Sequence, residues 1–115
     1  MPLLEQFFFL SLLVQIVHAV EELITGFHKK WYAFKWSFNA FLTFEILFEG
    51  FWISVYLFPT FPYRQNLQML FLPLMFANSV QHIIWAATKK AYVPGLITAP
   101  LHGIVFLLYY YQIHL

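Results

Sequence analysis

The run LLEQFFFLSLLVQIVHAVEELI, residues 3–24, decides how the rest of the chain is read. It is almost continuously apolar over a length close to the ~20 residues with which a helix crosses the hydrocarbon core of a bilayer. Near its end stands His18-Ala-Val-Glu21-Glu22. Helical spacing of three and four residues places both carboxylates on the side of the imidazole. Ionisable groups are costly to bury in lipid, and two acids near a helix C-terminus also oppose its dipole. A bound cation, a proton held on a carboxyl group, or polar partners on neighbouring helices must offset that cost.

Composition extends the reading to the whole chain. Of its 115 residues 62% are hydrophobic, 23% aromatic and only 10% charged, far outside the soluble range. A soluble domain of this length could not hide fifteen Phe, seven Tyr and four Trp in one core. The lipid bilayer is therefore the expected partner. With no cysteine, disulfides, thiolate metal sites and cysteine nucleophiles are excluded. A net charge of +1 without a basic tract gives nucleic acid nothing to bind. No Lys or Arg precedes the first apolar run and no small-residue cleavage site follows it, so it is expected to be a retained span rather than a signal peptide.

Four apolar segments can be marked, at about residues 3–24, 34–58, 67–88 and 96–113. Gly26 to Lys30 carries the first turn, Pro59 to Arg64 the second, and Lys89 to Gly95 the third. Pro94, just ahead of the last segment, suits a helix start. Connections this short predict an all-α fold: a transmembrane four-helix bundle, up-and-down and antiparallel, with residues 1–115 forming a single integral membrane domain. Lys29, Lys30, Lys35, Lys89 and Lys90 cluster at the first and third connections, which the positive-inside rule places in the cytoplasm. Both termini are then expected outside the cytoplasm, in a plasma or inner membrane. Trp31, Trp36 and Trp85 fall where an inner interfacial belt would lie, and Tyr109, Tyr110 and Tyr111 where an outer one would.

Glu21, Glu22, Glu45 and Glu49 fall inside the predicted spans or at their edge. Measured from the cytoplasmic helix ends at the rise of an α-helix, His18 lies ~12 Å deep, His82 and His102 ~10 Å, Glu22 ~6 Å, and Glu45 and Asn78 ~17 Å. Each helix also strings its polar residues along one stripe. These are Ser11, Gln15, His18, Glu22 and Thr25 on the first, Glu45, Glu49, Trp52 and Tyr56 on the second, Gln68, Met75, Asn78, His82 and Lys89 on the third, and Thr98, His102, Tyr109 and Gln112 on the fourth. For Gln15, Asn39 and Thr98 a plain helix-packing role is expected, and His28 and His114 lie at the aqueous ends. Three histidines and two or three glutamates at one depth point instead to a functional site.

Taken together, His18-x-x-Glu21-Glu22, a later helix histidine (His82 or His102) and Tyr92-Val93-Pro94-Gly95 resemble the HXXEE-motif family of small four-span membrane proteins. The resemblance runs from residue 18 to 95 and beyond. It implies the four-span architecture and singles out these residues. The family is uncharacterised and suspected to be enzymatic, so the resemblance implies no particular reaction.

The chemistry of the side chains narrows the uses of such a site. Imidazole and carboxylate together suit a divalent Zn, Fe or Mn ion. His18, His82 and His102 can supply three nitrogens and Glu22 an oxygen, with Glu21, or Glu45 from across the bundle, as base on a bound water. Only one His/Glu pair lies three apart, His18 with Glu21, and in the reverse of the order used by di-iron bundles, which favours one metal. This predicts a metal-dependent enzyme, a hydrolase or oxidoreductase, acting on an amphiphilic or lipid-soluble small molecule. One alternative is a metal-free acid/base isomerase or hydrolase. Others are not catalytic: a proton or metal-ion transporter, for which a homodimer would enclose the path, or a haem-binding membrane protein. The polar residues thin out toward the outer ends, which fits a closed pocket better than a channel.

Overall fold

A computed structural model describes residues 2–114. It contains α1 (Leu3–Thr25), α2 (Phe27–Lys30), α3 (Phe38–Leu57), α4 (Arg64–Lys89) and α5 (Ala99–His114), with no strand among the described residues. The first long helix stops where only glycine is comfortable. Gly26 takes φ 81°, in the left-handed region, and its N–H closes on the carbonyl of Glu22. The same residue opens α2, a single turn that the sequence reading did not anticipate.

The helix of the second apolar segment begins at Phe38, four residues later than expected. Ser37 sets that boundary, because its Oγ accepts the N–H of Ala40 at 3.1 Å and satisfies one of the helix's free donors. Phe34 to Trp36 are thereby left in the connection. α4 starts earlier than expected, at Arg64, whose guanidinium has three tasks. It donates to the carbonyls of Val55 and Tyr56, both at 2.7 Å, and to Glu5 at 2.7 Å. One side chain thus ties the last carbonyls of α3, the start of α4 and the start of α1 together.

The last segment requires a correction. Its helix starts not at Leu96 behind Pro94 but at Ala99, and residues 94–98 are turns. Gly95 stands at φ 92°, which a right-handed helix cannot accommodate. The amides of Ile97 and Thr98 are directed at the Glu21 carboxylate. With 16 residues, α5 rises ~24 Å, less than the ~30 Å of a hydrocarbon core. α1, α3 and α4 are each long and apolar enough to cross a membrane.

Pairings between helices fix their directions. Phe7 meets Tyr109 while Gln15 meets His102, so α5 runs antiparallel to α1. Phe8 meets Trp52 while Gln15 meets Glu49, so α3 does too. α4 is parallel to α1, with Phe8 on Phe71 and His18 on His82. α1 and α4 touch across the centre, whereas α3 and α5 do not meet.

Two apolar clusters bracket a polar layer. Phe8, Leu12, Trp52, Val55, Phe71 and Met75 fill one end; Phe27, Phe41, Trp85 and Val93 fill the other. Between them lie the buried Gln15, His18, Glu22, Glu45, His82, Thr98 and His102. Trp85, expected in an interfacial belt, is instead 5% exposed and packs edge-on against Phe27. The outer faces carry Ile24, Leu47, Ile84 and Leu107, all exposed. The polar layer is inside and the apolar surface outside, the inverse of a water-soluble bundle.

Candidate functional site

The centre of the polar layer is built by α1 and α4. One turn of α1 separates His18 from Glu22, so both project from the same side. His82 comes to meet them from α4. The Nε2 atoms of His18 and His82 lie 3.4 Å and 3.2 Å from the same carboxylate oxygen of Glu22. The two imidazoles are in edge contact, with centroids 4.7 Å apart and planes at 90°. One ligand atom from each of the three residues falls within 4.8 Å of the others, and all three residues are buried. The His82 to Glu22 contact lies off the direction of a hydrogen bond, so neither nitrogen of His82 has a hydrogen-bond partner.

His18 is held by a hydrogen-bond chain whose direction is set at both ends. The indole N–H of Trp31 can only donate, and it donates to Gln81 Oε1 at 3.1 Å. Gln81 Nε2 then donates to Asn78 Oδ1 at 3.0 Å, which turns Asn78 Nδ2 toward His18 Nε2 at 3.2 Å. His18 Nε2 is therefore the acceptor, and Nδ1–H donates to Thr98 Oγ1 at 2.7 Å. The Thr98 hydroxyl passes its proton on to Glu21 Oε1 at 2.6 Å. Every link agrees on one tautomer, with the Nε2 lone pair turned to Asn78 and Glu22 3.4 Å from the same nitrogen.

Glu21, one residue before Glu22, projects about 100° away around the helix. Its carboxylate accepts from the Tyr92 hydroxyl at 2.5 Å and from the amides of Ile97 and Thr98 at 3.1 and 2.9 Å, besides the Thr98 hydroxyl. Glu21 thus fastens the connection between α4 and α5 across the end of α1. Burial, and then the bond to Glu21, raises the Tyr92 phenol above its ordinary value. The fastened connection carries Gly95, where a Cβ would come within 2.6 Å of His82 Cε1 and 2.8 Å of His18 Cε1. The Tyr-x-Pro-Gly stretch therefore roofs the two imidazoles.

His102 of α5 stands outside the three-residue group. Its ring centroid is 5.4 Å from that of His18, and its Nε2–H donates to Gln15 Oε1 at 2.9 Å. Gln15 Nε2 in turn donates to Glu49 Oε1 at 2.8 Å. Nδ1 of His102 is buried without a partner. Gln15 and Thr98, expected only to pack, are thus bridges between ionisable groups. Asn39 is exposed. Gln81 was not singled out, although its place three residues after Asn78 on one helical stripe was a signal for it.

Beside the cluster, a cavity of about 690 Å³ opens between α1, α3 and α4. Glu22, Gln15, Glu45, Asn78 and Gln81 give it a polar end, and Phe27, Trp31, Trp36, Phe41 and Phe48 an apolar body. Glu45 is 4% exposed, and one of its oxygens has no hydrogen-bond partner. Glu22 belongs to both places and joins the cluster to the cavity.

The class is that of a helical protein with three helices long and apolar enough to cross a membrane and a buried histidine and carboxylate cluster at its centre. The chain belongs to the HXXEE family, described as proteins of unknown function with an HXXEE motif, whose profile matches residues 9–110. No curated protein matches the chain, and no solved structure does.

Proposed function

We propose that His18, Glu22 and His82 bind one divalent metal ion, and that the chain is a metal-dependent membrane enzyme acting on a lipid-soluble substrate held in the adjoining cavity. The observation that carries this reading is the convergence of three buried ligand atoms within 4.8 Å, with both His82 nitrogens left without hydrogen bonds. Buried polar atoms seldom go unpaired, and a metal ion would take up one of these two nitrogens. Two imidazoles and a carboxylate suit Zn, Fe or Mn, and three protein ligands leave a coordination position for water. A haem reading is disfavoured because the His18 and His82 rings already touch, leaving no room for a macrocycle between them.

The remaining side chains take supporting roles. Glu45 faces the cavity with an uncommitted oxygen and is the base; Glu21, whose oxygens are occupied, orients His18 through Thr98. Such outer contacts fix the tautomer of a metal-bound histidine. His102 and Glu49 form a further polar tier joined by Gln15. In this reading α5 is the fourth span, short enough to ask for local thinning of the bilayer. The same reading takes the lysine-bearing first and third connections as cytoplasmic and both termini as outside, in a plasma or inner membrane, on the strength of the positive-inside rule.

Elemental analysis of protein purified without chelator tests the proposal. About one Zn, Fe or Mn per chain is expected, lost in His82→Ala and in Glu22→Gln and kept in His102→Ala. The same trace metal content in all four proteins would overturn it.

A further inference from the structure

The cavity lining contains Glu22 and Glu45 but no lysine or arginine. An anionic lipid head would therefore enter a low-dielectric space already carrying carboxyl groups, with no cationic side chain to meet it. The unpartnered oxygen of Glu45, on a side chain 4% exposed, is an acceptor in want of a donor. The outer wall of the same cavity is apolar and open. Phe44 and Leu74 are 44% and 40% exposed, and Ala77, which also lines the cavity, is a small exposed residue of α4. α3 and α4 are thus parted at this level, and the gap gives onto the apolar outer surface.

We propose that the cavity takes a single-chain amphiphile with an uncharged or cationic head that donates hydrogen bonds, an alkyl amine or alcohol, seated on Glu45 with its chain leaving between α3 and α4. This deepens the reading of the site as one for lipid-soluble substrates and rests on it, but not on the metal. The aromatic body of the cavity suits either head: rings of Trp31 and Trp36 accept an ammonium on their faces and pack against the first methylenes of a chain. A volume of about 690 Å³ lies in the range of small-molecule pockets. Approach from the side spares the ligand a passage through the aqueous loops.

Trp31 and Trp36 line the cavity and serve as reporters. The full chain is placed in bilayers of zwitterionic lipid and titrated with undecyl amine, undecyl alcohol and undecanoate, each brominated on the part of the chain near the head to quench indole fluorescence. Saturable quenching, reversed by the unbrominated compound, is expected for the amine or the alcohol and not for the carboxylate. Glu45→Leu should weaken it by about tenfold or more, the loss of a hydrogen bond to a carboxylate. Ala77→Phe, a change on the exposed face that leaves the cluster intact, should block it and thereby guards against a misfolded Glu45 variant. Equal binding of the carboxylate, or quenching that is never displaced, overturns the proposal. The titration is repeated after chelator treatment. Displaceable quenching that persists there upholds the ligand class whatever the metal analysis gives.

Discussion

The backbone of Gly95 lies so close to His82 that a Cβ at that position would come within 2.6 Å of the imidazole Cε1. The connection between α4 and α5 is therefore part of the site, pressed onto the histidines by the four hydrogen bonds that Glu21 accepts. Gly95→Ala must both strain a φ of 92° and push His82 and His18 apart. A loss of about 1–3 kcal/mol is expected from backbone strain alone, with metal binding impaired as well. Gly50→Ala is the control, since nothing lies within 4 Å of its new methyl. It should leave the protein unchanged or stabilise it by up to about 1 kcal/mol, as read by thermal unfolding in detergent.

Thr98 links Glu21 to His18 through a single hydroxyl. Thr98→Val keeps the shape and removes the link. Metal affinity should fall about 10- to 100-fold, as when an outer partner of a ligating histidine is lost, and Thr98→Ser should restore it. Nitrogen-15 NMR of His18 gives an independent check. The wild type should show the Nδ1–H tautomer and the valine variant a mixture. An unchanged tautomer in the variant would remove Glu21 from the positioning role.

Arg64 closes the far end of the bundle rather than merely marking a loop. Arg64→Lys keeps the charge but cannot reach two carbonyls and Glu5 at once. Lost hydrogen bonds to a charged group should lower stability by about 1–3 kcal/mol, with metal content unchanged because the site is at the other end of α1.

Tyr92 supplies a pH dependence with a definite sign. Burial first, and the Glu21 bond second, raise its phenol above the ordinary value of 10.0, so the folded chain holds the proton more tightly than the unfolded one. That stabilisation is fully present below pH 10.0 and is lost as pH rises through the higher folded value. Alkaline unfolding curves of wild type and Tyr92→Phe should therefore converge at high pH. Parallel curves across that range would place the tyrosine's contribution elsewhere.

Much of this arrangement was legible in the sequence, for reasons visible in particular residues. His18 and Glu22 share a face because they are one helical turn apart, and depth together with the polar stripe of the third span puts His82 at their level. Glu21, expected on the imidazole side with Glu22, turns instead to Tyr92 and Thr98, because adjacent residues on a helix diverge by about 100° and the two acids cannot share a partner. That divergence follows from geometry, but what Glu21 would meet depended on a tertiary approach no local pattern encodes. The same holds for Thr98, 80 residues from His18 and in hydrogen-bond contact with it. The start of α5 was misjudged because Pro94 signals a helix start, whereas Gly95 in its left-handed conformation forbids one at that point. Trp85 fits an interfacial belt by position. Phe27, on the short α2 that was not anticipated, draws it into the core instead.

The central claim is that His18, Glu22 and His82 bind one metal together. Cobalt(II) titration of the chelator-treated protein, followed by visible absorption, tests it most directly, because a histidine and carboxylate site of low coordination number gives a strong d–d band. Saturation at one cobalt per chain is expected, with the band abolished in His18→Ala, Glu22→Gln and His82→Ala alike and preserved in His102→Ala. A band that survives any of the first three changes, or none at all in a folded wild type, would contradict the account.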